Sequence, residues 1–178
     1  MRNVIEKPEA LARLAAHRRE LFGASGDGCV MCALVRRALE TPALIRQNQH
    51  GVVVLDRFGA TPGHCLVIAK QHVEDACDLD WPRYAALQRL AYDTALALRA
   101  AFAPVRSYVA LLGASEGLPT SFPHVHTHVL PVYTTDERAR PAHVFSWSTG
   151  VLVYDDDEAL ELAARIRGAF APAEPLSF

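Results

Sequence analysis

Apolar and polar residues change period several times along the chain, and each change marks a predicted element. PEALARLAAHRRELFG starts at Pro8 and stops at Gly23, with Leu11, Leu14 and Leu21 near one helical face, so it predicts an added N-terminal helix. A flexible link, GASGDG (23–28), leads into GCVMCALVRRALE, where a cysteine pair opens a second, short helical pattern. The period then shortens. ALIRQNQHGVVVLDRF reads as two strands joined by a turn at Asn48–Gly51, and HCLVIAK (64–70) as a third after the ATPG turn. DWPRYAALQRLAYDTALALRAAF is the main helix: Asp80 is placed to cap it, Leu87, Leu90, Ala91, Leu98 and Phe102 are its apolar positions, and Pro104 ends it. RSYVALLG (106–113) and HVHTHVL (124–130) supply the fourth and fifth strands. A loop, the FSWSTGVLVY stretch and a last helix from DDDEAL to Phe170 close the chain. Three strands, a long helix and two more strands predict an α+β fold with a largely antiparallel five-stranded sheet, plus extra N-terminal and C-terminal helices. The expected divisions are an extension over 1–28, a central domain over 29–133 and a second extension over 134–178.

Composition narrows the function. With 178 residues, 51% of them hydrophobic and 21% charged, the chain can bury a core without disulfide staples. Eighteen Lys and Arg against 20 Asp and Glu leave a net charge of −2, and there is no basic run to hold duplex nucleic acid by its phosphates. A small anionic ligand stays open, because a few N–H groups or imidazoles suffice for it. Glu6, Pro8 and Glu9 stand where a signal peptide would be apolar, and no later run has the roughly 18 apolar residues of a membrane span. The expected setting is the cytoplasm, with neither nucleic acid nor membrane as partner. In a reducing compartment Cys29, Cys32, Cys65 and Cys77 are ligands, nucleophiles or small core residues rather than disulfides.

Three of the eight histidines, His124, His126 and His128, fall within five residues. Pro123 and Pro131 bracket them, which favours a strand, and a strand puts all three on one face at about 6.6 Å spacing. An apolar core face cannot satisfy three adjacent imidazoles, so the cluster reads as a site that works near neutral pH. Cys29-Val30-Met31-Cys32 has the spacing of two thiolates on one tetrahedral metal, although two small core cysteines explain it equally well. The remaining ligands would have to come from elsewhere in the chain, with His the favoured donor.

CVMC, ALIRQNQHGVVVLDRF, ATPGHCLVIAKQHVED and SFPHVHTHVLP, in this order and spacing, resemble the histidine triad (HIT) family of nucleotide hydrolases and transferases. The resemblance runs from Cys29 to Pro131. It implies a HIT-like fold and a covalent nucleotidyl-histidine intermediate formed on His126, which splits one hard displacement into two. His128 then contacts the phosphate and leaving group, and His64 lies beside the triad to relay protons or orient it. The resemblance further implies a structural zinc on Cys29, Cys32, His72 and His124, closed to substrate because all four positions are filled. At the nucleoside end, Asp56 matches the carboxylate that accepts from both ribose hydroxyls, with Arg57 beside it. Val30, Met31, Leu34 and Leu66 match positions that sandwich the purine. The substrate so implied is a purine nucleoside phosphoramidate or a dinucleoside polyphosphate, and the assembly a homodimer.

The sequence departs from the family pattern at Gly113, where many members have Asn, and at Pro119-Thr120-Ser121, where they have Gly-Gln-Ser. Ser121 can still donate to a phosphate oxygen, and Thr120 reaches less far than Gln. These departures motivate an alternative, a nucleotide-binding module or sensor with negligible catalysis. A metallo-hydrolase built on the three histidines would need Asp where Thr127 stands. Asp155, Asp156 and Asp157 read as the acidic first turn of the last helix. Trp147 reads as a core or surface anchor, with closing the active site or packing on a dimer partner as alternatives, Cys65 and Cys77 as packing residues, and His17, His50 and His143 as exposed or loop positions without a role.

Overall fold

The computed structural model describes residues 3–23, 28–113 and 122–171. The order is β1 (Asn3–Ile5), α1 (Lys7–Phe22), α2 (Val30–Glu40), β2 (Leu44–Gln47), β3 (Gly51–Leu55), β4 (Phe58–Gly59), β5 (Cys65–Ala69), α3 (Trp81–Phe102), β6 (Arg106–Ala110), β7 (His126–Val132), α4 (Pro141–Phe145), β8 (Val151–Val153) and α5 (Asp156–Gly168). Five antiparallel strands form the main sheet in the order β2-β3-β5-β7-β6. The α+β architecture, the antiparallel sheet and both extra helices are those the sequence predicts.

GVVVL and CLVIA are buried at every position, because both faces of the sheet are covered. Val53, Leu55, Cys65 and Val67 pack with Leu87, Leu90 and Leu98 of α3 and with Ile166 of α5 on one face. Val52, Val54, Leu66 and Ile68 pack with Met31 and Val35 of α2 on the other. Gly51 lets α3 close on the sheet: a Cβ there would lie 2.5 Å from the Leu87 side chain. Asp80 caps α3 by accepting from the Arg83 N–H at 2.9 Å, and Ala103 ends the helix in the left-handed conformation.

Strand β7 is shifted from the predicted 124–130. His124 precedes it, and it runs through Pro131 to Val132. Proline is tolerated there because pairing with β5 ends at Val129, while pairing with β6 continues to Arg106↔Val132. In α1 the buried positions are Ala10 and Leu14, and Leu21 is exposed. His143 lies within α4 rather than a loop.

A second sheet escapes the sequence pattern. Strands β1, β8 and β4 pair antiparallel, joining the N-terminal segment, the C-terminal segment and the corner after β3. Ile5, Ala10 and Val151 form its small core, with Phe58, Trp147 and Val153 against them. Helix α1 and the segment around β8 therefore meet beside α2 and the histidines, while α5 packs with α3 on the opposite face.

Candidate active site

Register fixes the histidines. Ile68 pairs with His126 and Leu66 with His128, so both imidazoles emerge on the face that α2 covers. Their ring centroids are 5.0 Å apart. Nδ1 of His126 lies 2.7 Å from the His124 carbonyl oxygen. A carbonyl only accepts, so Nδ1 carries the proton and Nε2 keeps its lone pair. Burial pulls His126 below the usual imidazole pKa, which keeps that lone pair free at neutral pH.

His128 takes the opposite tautomer. The Ala60 N–H donates to His64 Nδ1 at 3.3 Å, which leaves the proton on His64 Nε2, 3.0 Å from His128 Nδ1. His128 therefore accepts at Nδ1 and presents Nε2–H. Behind His64, the Asp56 carboxyl oxygen stands 3.4 Å from Nδ1, and Phe58 N–H donates to the other Asp56 oxygen at 2.9 Å. Burial pushes the Asp56 carboxyl up, and burial together with neighbouring imidazoles pulls His64 and His128 down to about 3. Asp56, His64 and His128 thus stand in a row, with His64 Nε2–H donating to His128 Nδ1 at 3.0 Å and the Asp56 carboxyl 3.4 Å from His64 Nδ1.

His124 faces the other way. Its Nε2–H donates to the Ala69 carbonyl at 2.8 Å, which leaves Nδ1 unprotonated among the donors of a second cluster. Nδ1 of His124 is 3.3 Å from Cys29 Sγ, 3.5 Å from Cys32 Sγ and 3.2 Å from His72 Nδ1, and Cys32 Sγ is 3.6 Å from His72 Nδ1. A tetrahedral zinc with ordinary bond lengths has edges of about 3.3 Å between nitrogens and about 3.6 Å between sulfur and nitrogen. The four donors fit that ion, and the Ala69 carbonyl supplies the outer hydrogen bond that orients a ligating imidazole. One element supplies both cysteines: Cys29 is the N-cap of α2 and accepts from the Cys32 N–H at 3.4 Å.

A cavity of about 470 Å³ opens on His126 and His128. Val30, Met31, Leu34, Leu66, Asp56 and Arg57 all line it, as do Leu14, His17 and Glu20 from α1 and Trp147, Val153 and Asp156 from the C-terminal segment. Arg57 is tied down, its guanidinium 2.7 Å from Asp156 and 3.3 Å from the Tyr154 carbonyl. Asp155 caps α5 by accepting from the Glu158 N–H at 2.8 Å, as the acidic first turn predicts, while Asp156 serves the cavity. His17, which reads as exposed and without a role, and Trp147, for which closing the active site is one alternative, both belong to the lining, because two segments far apart in sequence fold over one face. Cys65 is buried as expected. Cys77 is exposed, so packing does not explain it. Thr120 and Ser121 lie outside the described residues.

The family model for the HIT domain matches residues 39–135. An uncharacterised HIT-like protein of Mycoplasma genitalium is 34% identical over 110 residues, covering 61% of this chain and 76% of that protein. An uncharacterised HIT-like protein of Mycobacterium tuberculosis is 33% identical over 110 residues, covering 61% and 74%. Among solved structures, a Bartonella henselae Hit-like protein superposes with a TM-score of 0.62 at 21% identity, over 81% of this chain and 98% of that one. A zinc-bound histidine triad family protein from Mycobacterium smegmatis gives 0.60 at 24% identity, over 80% and 92%. A uridylyltransferase gives 0.61 at 24% identity, over 93% and 51%.

Proposed function

Because this chain belongs to the HIT family, we propose that it is a nucleotide hydrolase or nucleotidyl transferase whose reaction passes through a nucleotidyl-histidine at His126. The substrate class is a purine nucleoside phosphoramidate or a dinucleoside polyphosphate. The observation that carries this reading is the pair of opposite tautomers: a lone pair on His126 Nε2 beside an N–H on His128, both facing one cavity.

In the first half-reaction Nε2 of His126 attacks the α-phosphorus, and the N–P bond forms as the bond to the leaving group breaks. The positive charge that develops on the ring is shared with the His124 carbonyl through Nδ1–H. The leaving group takes the Nε2 proton of His128, which regains one at Nδ1 from His64, and Asp56 supplies His64 in turn. Water or another acceptor then attacks phosphorus as the bond to Nε2 of His126 breaks; its proton goes to the free Nε2 of His128, and the relay runs back through His64 to Asp56, so that every group returns to its starting form. Asp56 and Arg57 hold the sugar end, while Val30, Met31, Leu34 and Leu66 enclose the base.

Cys29, Cys32, His72 and His124 would hold zinc, whose contribution is to pin the start of α2 to the segment entering β7. The zinc-bound state of the M. smegmatis protein accords with this assignment. We place the protein in the cytoplasm as a homodimer joined through β6, an edge strand of the main sheet, with exposed Val109 on it and exposed Val105 just before it. Among the described residues no helix is long and apolar enough to cross a membrane.

The test is turnover of adenosine 5′-phosphoramidate and diadenosine polyphosphate by the wild type and by His126→Ala. Loss of turnover in the variant, with retained binding of AMP, supports the enzyme. AMP binding without hydrolysis by the wild type supports the alternative, a binding module.

A further inference from the structure

We infer that Trp147 is the face on which the base of the bound nucleoside stacks, an inference that rests on the nucleotide reading above. Trp147 lies beyond the residues that the family model matches, yet it lines the same cavity as Asp56, His126 and His128. Val30, Met31, Leu34 and Leu66 supply aliphatic lining and Phe58 and Phe122 two phenyl rings, and Trp147 adds the largest aromatic plane, the one indole among them. An aromatic plane with aliphatic side chains around it suits a flat heterocycle, and stacking tolerates any base while favouring the larger purine.

Its backbone is arranged for the purpose. Trp147 has φ +58°, and among described non-glycine residues it shares a positive φ only with Ala103. A bulky residue adopts that conformation only where its surroundings impose it. Here Trp147 N–H donates to the Val144 carbonyl at 3.4 Å, and Gly150 N–H donates to the Trp147 carbonyl at 3.2 Å. Ile5, Ala10 and Val151 back the side chain, so the β1-β8-β4 sheet serves as its mount. Helix α1 and the β8 segment thus bring an indole to a cavity whose central-domain lining has Phe58 and Phe122 as its aromatic members.

The chain has two tryptophans, and the other, Trp81, is 73% exposed at the start of α3 and outside the cavity lining. Trp81→Phe therefore makes Trp147 the sole indole emitter. Titrating that variant with AMP should quench its emission saturably, with the midpoint of a parallel calorimetric isotherm. Trp147→Leu should raise KM for the adenosine substrate about 10-fold with kcat within twofold, Trp147→Phe should recover most of the loss, and the preference for AMP over UMP should shrink in Trp147→Leu. Calorimetric binding of AMP with unchanged Trp147 emission overturns the stacking assignment and leaves the nucleotide reading standing. Absence of any AMP binding overturns both.

Discussion

His126 reaches the main-chain carbonyl of His124 through Nδ1 at 2.7 Å, so the candidate nucleophile is oriented by a residue whose own side chain faces Cys29, Cys32 and His72. One residue thus links the candidate metal cluster to the reacting nitrogen. Damage to the cluster should be felt at His126 without any change in the cavity itself.

Metal analysis of the purified protein should find about one zinc per chain, and Cys32→Ala should lower that below a tenth. The same substitution should reduce kcat/KM by about 10- to 100-fold. Its melting temperature should fall by at least about 5 °C, since roughly 2–4 °C accompanies each kcal/mol in a chain of this size. Wild-type protein stripped of metal with its melting temperature and activity intact would contradict the assignment.

The Asp56–His64–His128 path makes a prediction about leaving groups. His64→Gln should slow release of a basic amine by about 100-fold or more, the usual size of a lost proton transfer. With a nitrophenolate leaving group, which departs without a proton, the same variant should lose less than about 5-fold. Equal losses on both substrates would mean that His64 only shapes the site.

Acid stability follows from the same histidines. His64 and His128 are held to about 3, against an ordinary 6.5, so the unfolded chain binds more protons than the folded one between those values. Their contribution is complete above pH 6.5 and is lost progressively as the pH falls toward 3. Urea midpoints should drop across that window, and His64→Gln should flatten the slope. An unchanged slope in the variant would show that other groups govern the acid limit.

If β6 is the dimer edge, Val109→Asp should convert the particle to a monomer in sedimentation velocity. A wild-type monomer, or a variant that still dimerises, would place the interface elsewhere or remove it.

Much of the fold and the chemistry could be read from the sequence because both depend on fixed local spacing. CVMC brings two thiols to the start of one helix, and alternation along HTHVL brings His126 and His128 to one face. The continuous apolar runs GVVVL and CLVIA mark strands covered on both sides. What escaped depends on long-range pairing. Strands β1, β8 and β4 have three, three and two residues, too few for a period, and they exist only because segments far apart in sequence meet. For the same reason nothing local places His17 at the cavity, and local sequence leaves Trp147 between closing the site, packing on a partner and anchoring the core or surface. Pro131 reads as a strand end because a proline cannot donate, whereas in the topology β5 no longer pairs with β7 at that point and needs no donor from it.

The central claim is a covalent bond between phosphorus and His126. Base-quenched reactions with a slowly turning-over adenosine phosphoramidate, sampled within the first turnover and measured at alkaline pH by intact-protein and peptide mass spectrometry, address it directly. The expected result is one adenylyl group per chain on the peptide containing His126, stable in base, labile in acid and absent from His126→Ala. Turnover that proceeds at the wild-type rate in His126→Ala, or a first turnover with no adduct under conditions that preserve phosphohistidine, would contradict it.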